Sequence, residues 1–382
     1  MKGMTLGSLF DGSGGFPLAG AMNGMTPVWA SEIEPYPLRV TAARFPGMKQ
    51  LGDVTRIDGA SIDPVDVITF GSPCQDLSVA GKQTGIHDGK RSSLFFEAVR
   101  IIREMRGATN GKYPRFAVWE NVPGAFSSNK GEDFRAVLQA LCEVGGEAVP
   151  VPEPPKGKWA KAGCIVGDGY SIAWRIYDAQ YWGVPQRRKR IYLVADFGSE
   201  RAGEILFERE GVRGDSAQGR EAREGAAGDA AGGTGRIRVY DCRGNGDGCT
   251  VPNLTGDHEN RVTDYTSVCV GNGQMHQTEL CDRTGALNCM HDQQAIIHNA
   301  KPPRRYIVRR LTPLECCRLQ GFPDWWEDGA NGSDSARYKM WGNGIALPCA
   351  ADVMRRIAEE CEICTTLHNV ALDLHSKPVV TL

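Results

Sequence analysis

A cysteine stands where a short apolar run gives way to a tight polar turn. Val65-Asp66-Val67-Ile68-Thr69-Phe70 runs into Gly71-Ser72-Pro73-Cys74-Gln75. Pro73 stiffens the backbone just ahead of the thiol. The thiolate is the reactive form of cysteine, and nearby cations or a helix N-terminus favour it. A second apolar run ends at Trp119-Glu120-Asn121-Val122-Pro123 and delivers a carboxyl group. If both runs are strands of one doubly wound sheet, Cys74 and Glu120 emerge at the same carboxyl edge, where such sheets bind ligands. A cysteine nucleophile beside an acid suits attack on a ring carbon while a ring nitrogen gains a proton. The plain alternative for Cys74 is an inert buried thiol.

The first apolar run enters Phe10-Asp11-Gly12-Ser13-Gly14-Gly15-Phe16. A strand feeding a glycine-rich turn and then a helix lets a ligand approach the backbone. Phe16-Pro17 stands where a dinucleotide turn keeps its third glycine, so a ligand without a pyrophosphate is expected. Glu32 ends the next strand, in a place that suits a ribose diol. Asp53 follows a third strand, where it could accept from an adenine amino group. Residues 187–190 read Arg-Arg-Lys-Arg, and residues 301–320 hold Lys301, Arg304, Arg305, Arg309, Arg310 and Arg318 against Glu315 alone. Such clusters can neutralise phosphates even when the whole chain, at net charge −2, does not announce a polyanion partner. The other reading of both clusters is a solvated surface.

The elements that must position these groups follow from hydrophobic patterning. Residues 4–10, 27–30, 65–70, 115–120 and 190–197 read as buried strands. Residues 15–23, 35–45, 92–105 and 131–144 carry helical patterns. Strand and helix alternating in this way imply an α/β fold, a doubly wound and mostly parallel sheet with helices on both faces. Gly and Ala dominate residues 211–235, expected to be a flexible segment. Residues 236–300 are polar and turn-rich and look like a smaller, partly β module. A further helix is expected around residues 347–360.

In order and content these motifs resemble those of the DNA (cytosine-5) methyltransferases, over nearly all of residues 1–200 and 305–360. Residues 10–16 resemble the family's cofactor motif, Pro73-Cys74-Gln75 its nucleophile motif and Glu120-Asn121-Val122 its acid motif. Arg91-Ser92-Ser93-Leu94-Phe95 resembles the entry to the third cofactor-side helix, and Gln186-Arg187-Arg188-Lys189-Arg190 the Gln-x-Arg-x-Arg motif. Arg310–Glu315 with Arg318–Pro323, and then Gly342-Asn343-Gly344, resemble the last motifs. The resemblance implies a methyltransferase fold with residues 1–200 as the catalytic, cofactor-binding domain. Residues 201–305 would form the target-recognition region, and 306–382 would return to that region and then to the catalytic domain. It implies attack of Cys74 on cytosine C6, with Glu120 at the N3/N4 edge, Arg188 at the O2 side and Arg190 supporting Glu120. The base must leave the duplex first, because neither ring face is reachable inside the stack. S-adenosylmethionine would be held by Phe10, Gly12, Ser13, Gly14, Gly15, Glu32, Ile33, Asp53, Val54, Pro73, Leu94, Asn343 and Gly344. Gln75, Ser78, Gln186, Arg187 and Arg310 would touch nucleic acid. Three departures stand out. Asp11 replaces a commoner small residue and is expected to point away from the sulfonium or to cap the helix. Ile33 replaces an aromatic, and Gly344 is expected to loosen the last motif.

Composition limits the remaining classes. Of 382 residues, 41% are hydrophobic and 24% charged, which excludes a mainly disordered chain. No apolar run approaches the roughly 18 residues needed to cross a bilayer, so no membrane partner is expected. The N-terminus reads as a first strand, not a signal peptide. The 13 cysteines are odd in number and irregularly spaced, which argues against a disulfide framework and for a reducing cytoplasm. No metal is expected: Cys361-x-x-Cys364 lacks a partner pair, and Cys242, Cys249, Cys281 and Cys289 form no coherent ligand set. Trp325-Trp326 is expected in the core. The expected partner is double-stranded DNA, with a cognate restriction endonuclease as a functional partner in restriction–modification or phage DNA protection, and the chain acting as a monomer. Alternatives are a tRNA cytosine-5 methyltransferase of the same family, a non-catalytic DNA-binding relative and a nicotinamide-dependent oxidoreductase. Nothing ranks the base-reading candidates in residues 236–305.

Overall fold

The computed structural model describes residues 3–73, 94–146, 150–207 and 311–376, together with the backbone of four short strands between 238 and 309. Eight strands form the central sheet. They are β1 (Thr5–Leu9), β2 (Thr26–Ser31), β3 (Lys49–Gln50), β4 (Val67–Phe70), β5 (Phe116–Asn121), β6 (Ala162–Val166), β7 (Ser171–Asp178) and β8 (Lys189–Asp196). Their order is β3-β2-β1-β4-β5-β8-β7-β6. The first five run parallel. β8 turns antiparallel against β5, and β7 and β6 continue antiparallel. From β1 the chain winds outward through β2 to β3, then returns to place β4 on the other side of β1. That reversal opens a crevice beyond the carboxyl ends of β1 and β4.

β4 and β5 are buried along their whole length, as expected for parallel strands covered on both faces. Alternate residues supply the two faces. Leu6, Val67, Val118 and Val194 face one cluster, and Ile68, Trp119, Leu193 and Ala195 the other. The second face is covered by α3 (Leu94–Ala108) and α4 (Glu132–Gly145). The first is covered by α1 (Gly15–Met22) and α2 (Pro35–Arg44), joined by residues from the far end of the chain: Leu311, Phe322, Trp326, Trp341 and Met354.

After α5 (Ala202–Leu206), two antiparallel pairs lie outside the large sheet: β9 (Arg238–Asp241) with β10 (Thr266–Cys269), and β11 (Ile296–Asn299) with β12 (Tyr306–Arg309). The Gly/Ala-rich residues 211–235 lie outside the described residues. The chain then forms α6 (Pro313–Leu319), α7 (Asp334–Asn343) and α8 (Leu347–Ser376). α6 starts with a reciprocal cap: Glu315 N donates to Thr312 Oγ1 at 3.2 Å, and Thr312 N donates to the Glu315 carboxylate at 2.6 Å. Among the described residues no helix is long and apolar enough to cross a membrane.

The glycine-rich turn is packed from outside by this returning segment. A Cβ on Gly15 would sit 2.5 Å from Ile345 Cγ1 and 3.2 Å from Phe322 Cζ. Within a helix, Gly→Ala gains about 0.5–1 kcal/mol of backbone entropy. Overpacking costs about 1–3 kcal/mol and outweighs that gain. Gly15→Ala is therefore expected to lower the thermal midpoint by several degrees, read by calorimetry. An unchanged or raised midpoint would mean that Ile345 moves aside freely.

Candidate functional site

The exits of β4 and β5 are stitched together. Phe70 pairs with Trp119 in register. Trp119 Nε1 donates to Ser72 Oγ at 3.1 Å, and Asn121 Nδ2 donates to the Ser72 carbonyl at 3.0 Å. Asn121 Oδ1 in turn accepts from Val122 N at 2.8 Å. Glu120 is buried at this edge. Its Oε2 lies 3.5 Å from where a Cβ on Gly71 would stand, so the bare glycine leaves room for the carboxyl group. Pro73 is exposed at the end of this turn. Cys74, with Gln75, Ser78 and residues 91–93, lies outside the described residues.

β8 supplies cations from the other side. Arg190 Nε stands 3.1 Å from Glu120 Oε1, both side chains about nine-tenths buried. The N–H direction makes this an ion pair without a hydrogen bond to Oε1. Arg188 is buried, and its Nη2 donates to the Gly344 carbonyl. Burial lowers the Arg188 guanidinium to about 9, and Arg190 adds to that, while Glu120 opposes it. It stays protonated at neutral pH. Tyr192 and Cys349 lie nearby, and burial pushes both well up, so neither ionises there. Gln186 is fully enclosed, with neither amide atom partnered. Arg187 is half-buried and Lys189 exposed. Arg310 lies outside the described residues.

The exits of β1, β2 and β3 form the other half of the crevice. Phe10 and Gly12 both adopt left-handed backbone, at φ 56° and 54°. Asp11 N donates to the Ser31 carbonyl at 3.0 Å, and Ser31 Oγ donates to the Gly52 carbonyl at 2.6 Å. Gly12 N donates to Glu32 Oε2 at 2.7 Å. The other Glu32 oxygen accepts from the amides of Ile33 and Glu34 at 2.7 and 2.9 Å. Ile33 is 67% exposed, an apolar side chain left in solvent beside that carboxylate. Asp53 accepts from Thr55 N and Oγ1, both at 2.9 Å, and these bonds hold its carboxyl below the usual range. Val54 is buried beneath, Leu94 is half-buried at the start of α3, and Asn343 is exposed at the end of α7.

Three sequence expectations need correction or sharpening. Asp11 does not cap α1: the cap position is Gly14, and Asp11 instead accepts from Ser8 Oγ at 2.7 Å. Gly344 does not loosen the last motif. A Cβ there would stand 3.0 Å from Ser13 Oγ, and its carbonyl receives Arg188. Of the paired tryptophans, Trp326 is buried and donates to the Ser13 carbonyl at 2.8 Å, whereas Trp325 is about half exposed under Arg44. The sequence offered no sign that Trp326 and Ile345 would hold the glycine turn, because that contact crosses more than 300 residues.

The crevice edge presents open backbone and polar side chains together. Among the described residues, a Cβ on Gly12 would have only the Phe10 carbonyl within 4 Å, at 3.9 Å, so a ligand could reach the backbone. Asp11 Oδ2 and Ser13 Oγ are buried without partners in the same turn. Glu32 and Asp53 bring carboxylates, and Ile33 an apolar surface.

Asp11 also costs stability. Burial raises its carboxyl to about 8, from 3.8, with Glu32 adding to the rise and Ser8 opposing it. The folded state therefore holds a proton that the unfolded chain loses between pH 4 and 8, and stability falls as pH rises through that window. Asp11→Asn is expected to be stabilising by an amount that grows from pH 5 to pH 9 and reaches on the order of a few kcal/mol. Denaturant midpoints across that range check it, and a pH-independent difference would contradict it.

Comparison with known proteins adds to this geometry. The sequence model for C-5 cytosine-specific DNA methylases matches residues 4–148, 166–208 and 243–359. The DNA N-6-adenine-methyltransferase of Escherichia phage P1 is 28% identical over 466 residues, covering 94% of this chain. This chain spans 61% of that protein's length. The Type II methyltransferase M.HpaII of Haemophilus parainfluenzae is 26% identical over 387 residues, covering 93% of this chain and 89% of its own. The S. pombe Dnmt2 methyltransferase structure superposes with a TM-score of 0.53 at 18% identity, covering 94% and 98% of the two chains. It shares the fold.

Proposed function

Because the chain belongs to the C-5 cytosine-specific DNA methylase family, we propose that it methylates C5 of cytosine within a specific double-stranded DNA sequence. The observation that carries this reading is Glu120, ion-paired to Arg190 and set against the β4 exit that leads to Pro73-Cys74. Cytosine C5 is too weakly nucleophilic to take a methyl group unaided. The Cys74 thiolate adds to C6, forming a sulfur–carbon bond and pushing electron density toward C5 and N3. Glu120 bonds the N3/N4 edge and meets the charge that develops there. Arg188 presents a planar charged fork to the O2 side, and Arg190 holds the Glu120 carboxyl group in place. S-adenosylmethionine would be held by the turn at residues 10–15 with Glu32, Ile33, Asp53 and Asn343, and would supply the methyl group to C5, its sulfur leaving with the bonding pair as the neutral thioether. Loss of the C5 proton and then of the Cys74 sulfur restores the aromatic ring. The target base must leave the stack for any of these groups to reach it.

Residues 201–305 are the region that reads the target sequence in this proposal, and residues 306–382 return the chain to the cofactor side. Relatives named Type II methyltransferases support a restriction–modification role, with a cognate endonuclease as a functional partner.

A second reading comes from the phage P1 relative, whose name specifies adenine N6. An exocyclic amine needs no covalent activation of a ring carbon, so a cysteine and an acid on adjoining strand exits favour cytosine. The test is duplex DNA incubated with methyl-labelled S-adenosylmethionine and digested to nucleosides for mass spectrometry. The expected product is 5-methyldeoxycytidine. Label only in N6-methyldeoxyadenosine, or only in tRNA, would overturn the proposal. DNA carrying 5-fluorocytosine is expected to trap a covalent complex, because no C5 proton can leave. Bisulfite sequencing of DNA from cells expressing the chain reads out the target site.

A further inference from the structure

One stretch of the catalytic domain falls outside the family's shared sequence, whose match passes from residue 148 to residue 166. Within that gap, residues 150–161 carry Lys156, Lys158 and Lys161 against Glu153 alone. The strand register sets where these lysines lie. The end of β5 pairs with the start of β8, Asn121 with Ile191, and the start of β8 with the end of β7, Lys189 with Asp178. β6 begins beside β7 with Ala162 opposite Arg175. The start of β6 therefore lies on the sheet edge from which Glu120 emerges. Three strand spacings separate it from β5, roughly 14 Å at about 4.8 Å each.

The segment is tied to the turn that follows Glu120. Trp159 N donates to the Phe126 carbonyl at 3.1 Å, and Trp159 Nε1 to the Gly131 carbonyl at 2.8 Å. From β7, Trp174 Nε1 donates to the Ala160 carbonyl at 3.1 Å and Ile176 N to the Lys161 carbonyl at 3.0 Å. A Cβ on Gly157 would sit 3.4 Å from Lys130 Cβ, so a further lysine joins the segment from the other side. Lys130, Lys156, Lys158 and Lys161 are all exposed, as is Lys189 at the start of β8. Among the described residues none of these lysines has a carboxylate partner. Arg103 and Arg135, on the neighbouring helices, are by contrast paired with Glu143 and Glu132.

We propose that residues 150–161 together with Lys130 form a ridge that binds the phosphodiester backbone of duplex DNA outside the base under attack. A duplex carries one phosphate charge per about 1.7 Å of its axis, so solvent-facing lysines without counter-carboxylates meet a dense row of anions and release its counterions. A reach of roughly 14 Å from β5 spans about four base pairs at 3.4 Å each, so the ridge meets phosphates flanking the target nucleotide. Lysine suits this task, as a compact charge on a flexible stem that follows a backbone without reading bases. The bonds of Trp159 hold the segment in place before DNA arrives, so little ordering remains to be lost on binding. The ridge strengthens binding to all sequences alike and carries no choice among them.

This inference rests on the DNA reading above, and one binding series separates the two. Full-length wild type, a Lys130→Gln/Lys156→Gln/Lys158→Gln variant and Lys49→Gln are titrated by fluorescence anisotropy against a labelled mixed-sequence duplex of about 30 base pairs, from about 50 to 200 mM salt. Lys49 is the control: it is exposed at the start of β3, on the opposite edge of the sheet. In the triple variant the slope of log association constant against log salt is expected to flatten by about 0.9 for each lysine on a phosphate, roughly 2 to 3 in all. Lys49→Gln should keep the wild-type slope. An unchanged slope in the triple variant, or an equal flattening per lysine in Lys49→Gln, overturns the inference. Wild type that still forms 5-methyldeoxycytidine in duplex DNA then leaves the functional reading intact. If the triple variant does not fold, Lys158→Gln/Lys161→Gln takes its place, with an expected flattening of about 1 to 2 and the same overturning results. Wild type that binds and methylates tRNA but not duplex DNA overturns the functional reading and this inference with it.

Discussion

Cys74→Ala is expected to reduce methyl transfer by roughly four or more orders of magnitude, as loss of a nucleophile does when the remaining groups act as a unit with it. The variant should still bind S-adenosylmethionine, because the groups proposed to hold it come from the exits of β1, β2 and β3 and from the end of α7. It should also fail to form the covalent complex with 5-fluorocytosine DNA. Single-turnover incorporation of labelled methyl groups, with cofactor binding measured in parallel, checks the result. Retained turnover would refute covalent attack, and loss of cofactor binding alone would point to a misfolded turn.

Glu120→Gln carries the second largest expected effect. A carboxyl group that handles a proton or a developing charge contributes about 10²–10⁴-fold. Glutamine keeps the shape and part of the hydrogen bonding, so the loss should appear mainly in kcat, with KM little changed. Stability also moves, because Arg190 then faces a neutral side chain in a nearly dry setting. A melting curve taken beside the kinetics separates the two: the variant should remain folded at assay temperature while turnover falls. Equal falls in activity and in folded fraction would assign Glu120 a structural role instead. Glu120→Asp, which keeps the charge but draws it back from the edge, should recover stability better than rate.

The first half of the fold was legible because buried parallel strands are continuous apolar runs, separated by amphipathic helices. Residues 4–10, 65–70 and 115–120 announce themselves in this way, and the observed strands fall within a residue or two of them. β6 and β7 did not stand out. They follow no strand–helix alternation, β6 alternates exposed with half-buried residues, and Gly167 to Gly169 break the pattern between them. α7 was missed because its buried residues, Met340, Trp341 and Gly342, gather at one end instead of forming a stripe. Its signal was the cap at Ser333, whose hydroxyl accepts from Ala336 N.

The site was legible by residue type and opaque in its supports. Glu120, Arg188 and Arg190 could be marked as chemical groups because few structural needs place such side chains at strand ends. Gly14 and Gly15 could be read only as a turn. The actual demand on them, closeness to Thr41, Trp326, Ile345 and Phe322, depends on contacts that no local pattern encodes. Asp11 shows the same limit. Its type signals charge, yet its burial and its Ser8 partner come from the way β1 ends.

The tryptophan that grips Ser13 also has a bearing on biosynthesis. When a ribosome has released the first two hundred residues, the sheet can already assemble, but Phe16 and Ala19 still lack the cover that Phe322, Ile345 and Ala346 provide. The nascent chain therefore carries an uncovered oily flank until residues 322–346 have emerged, the situation in which holding chaperones are most needed. The glycine turn acquires its outer wall only then, so it is completed in one late step and not gradually along the chain.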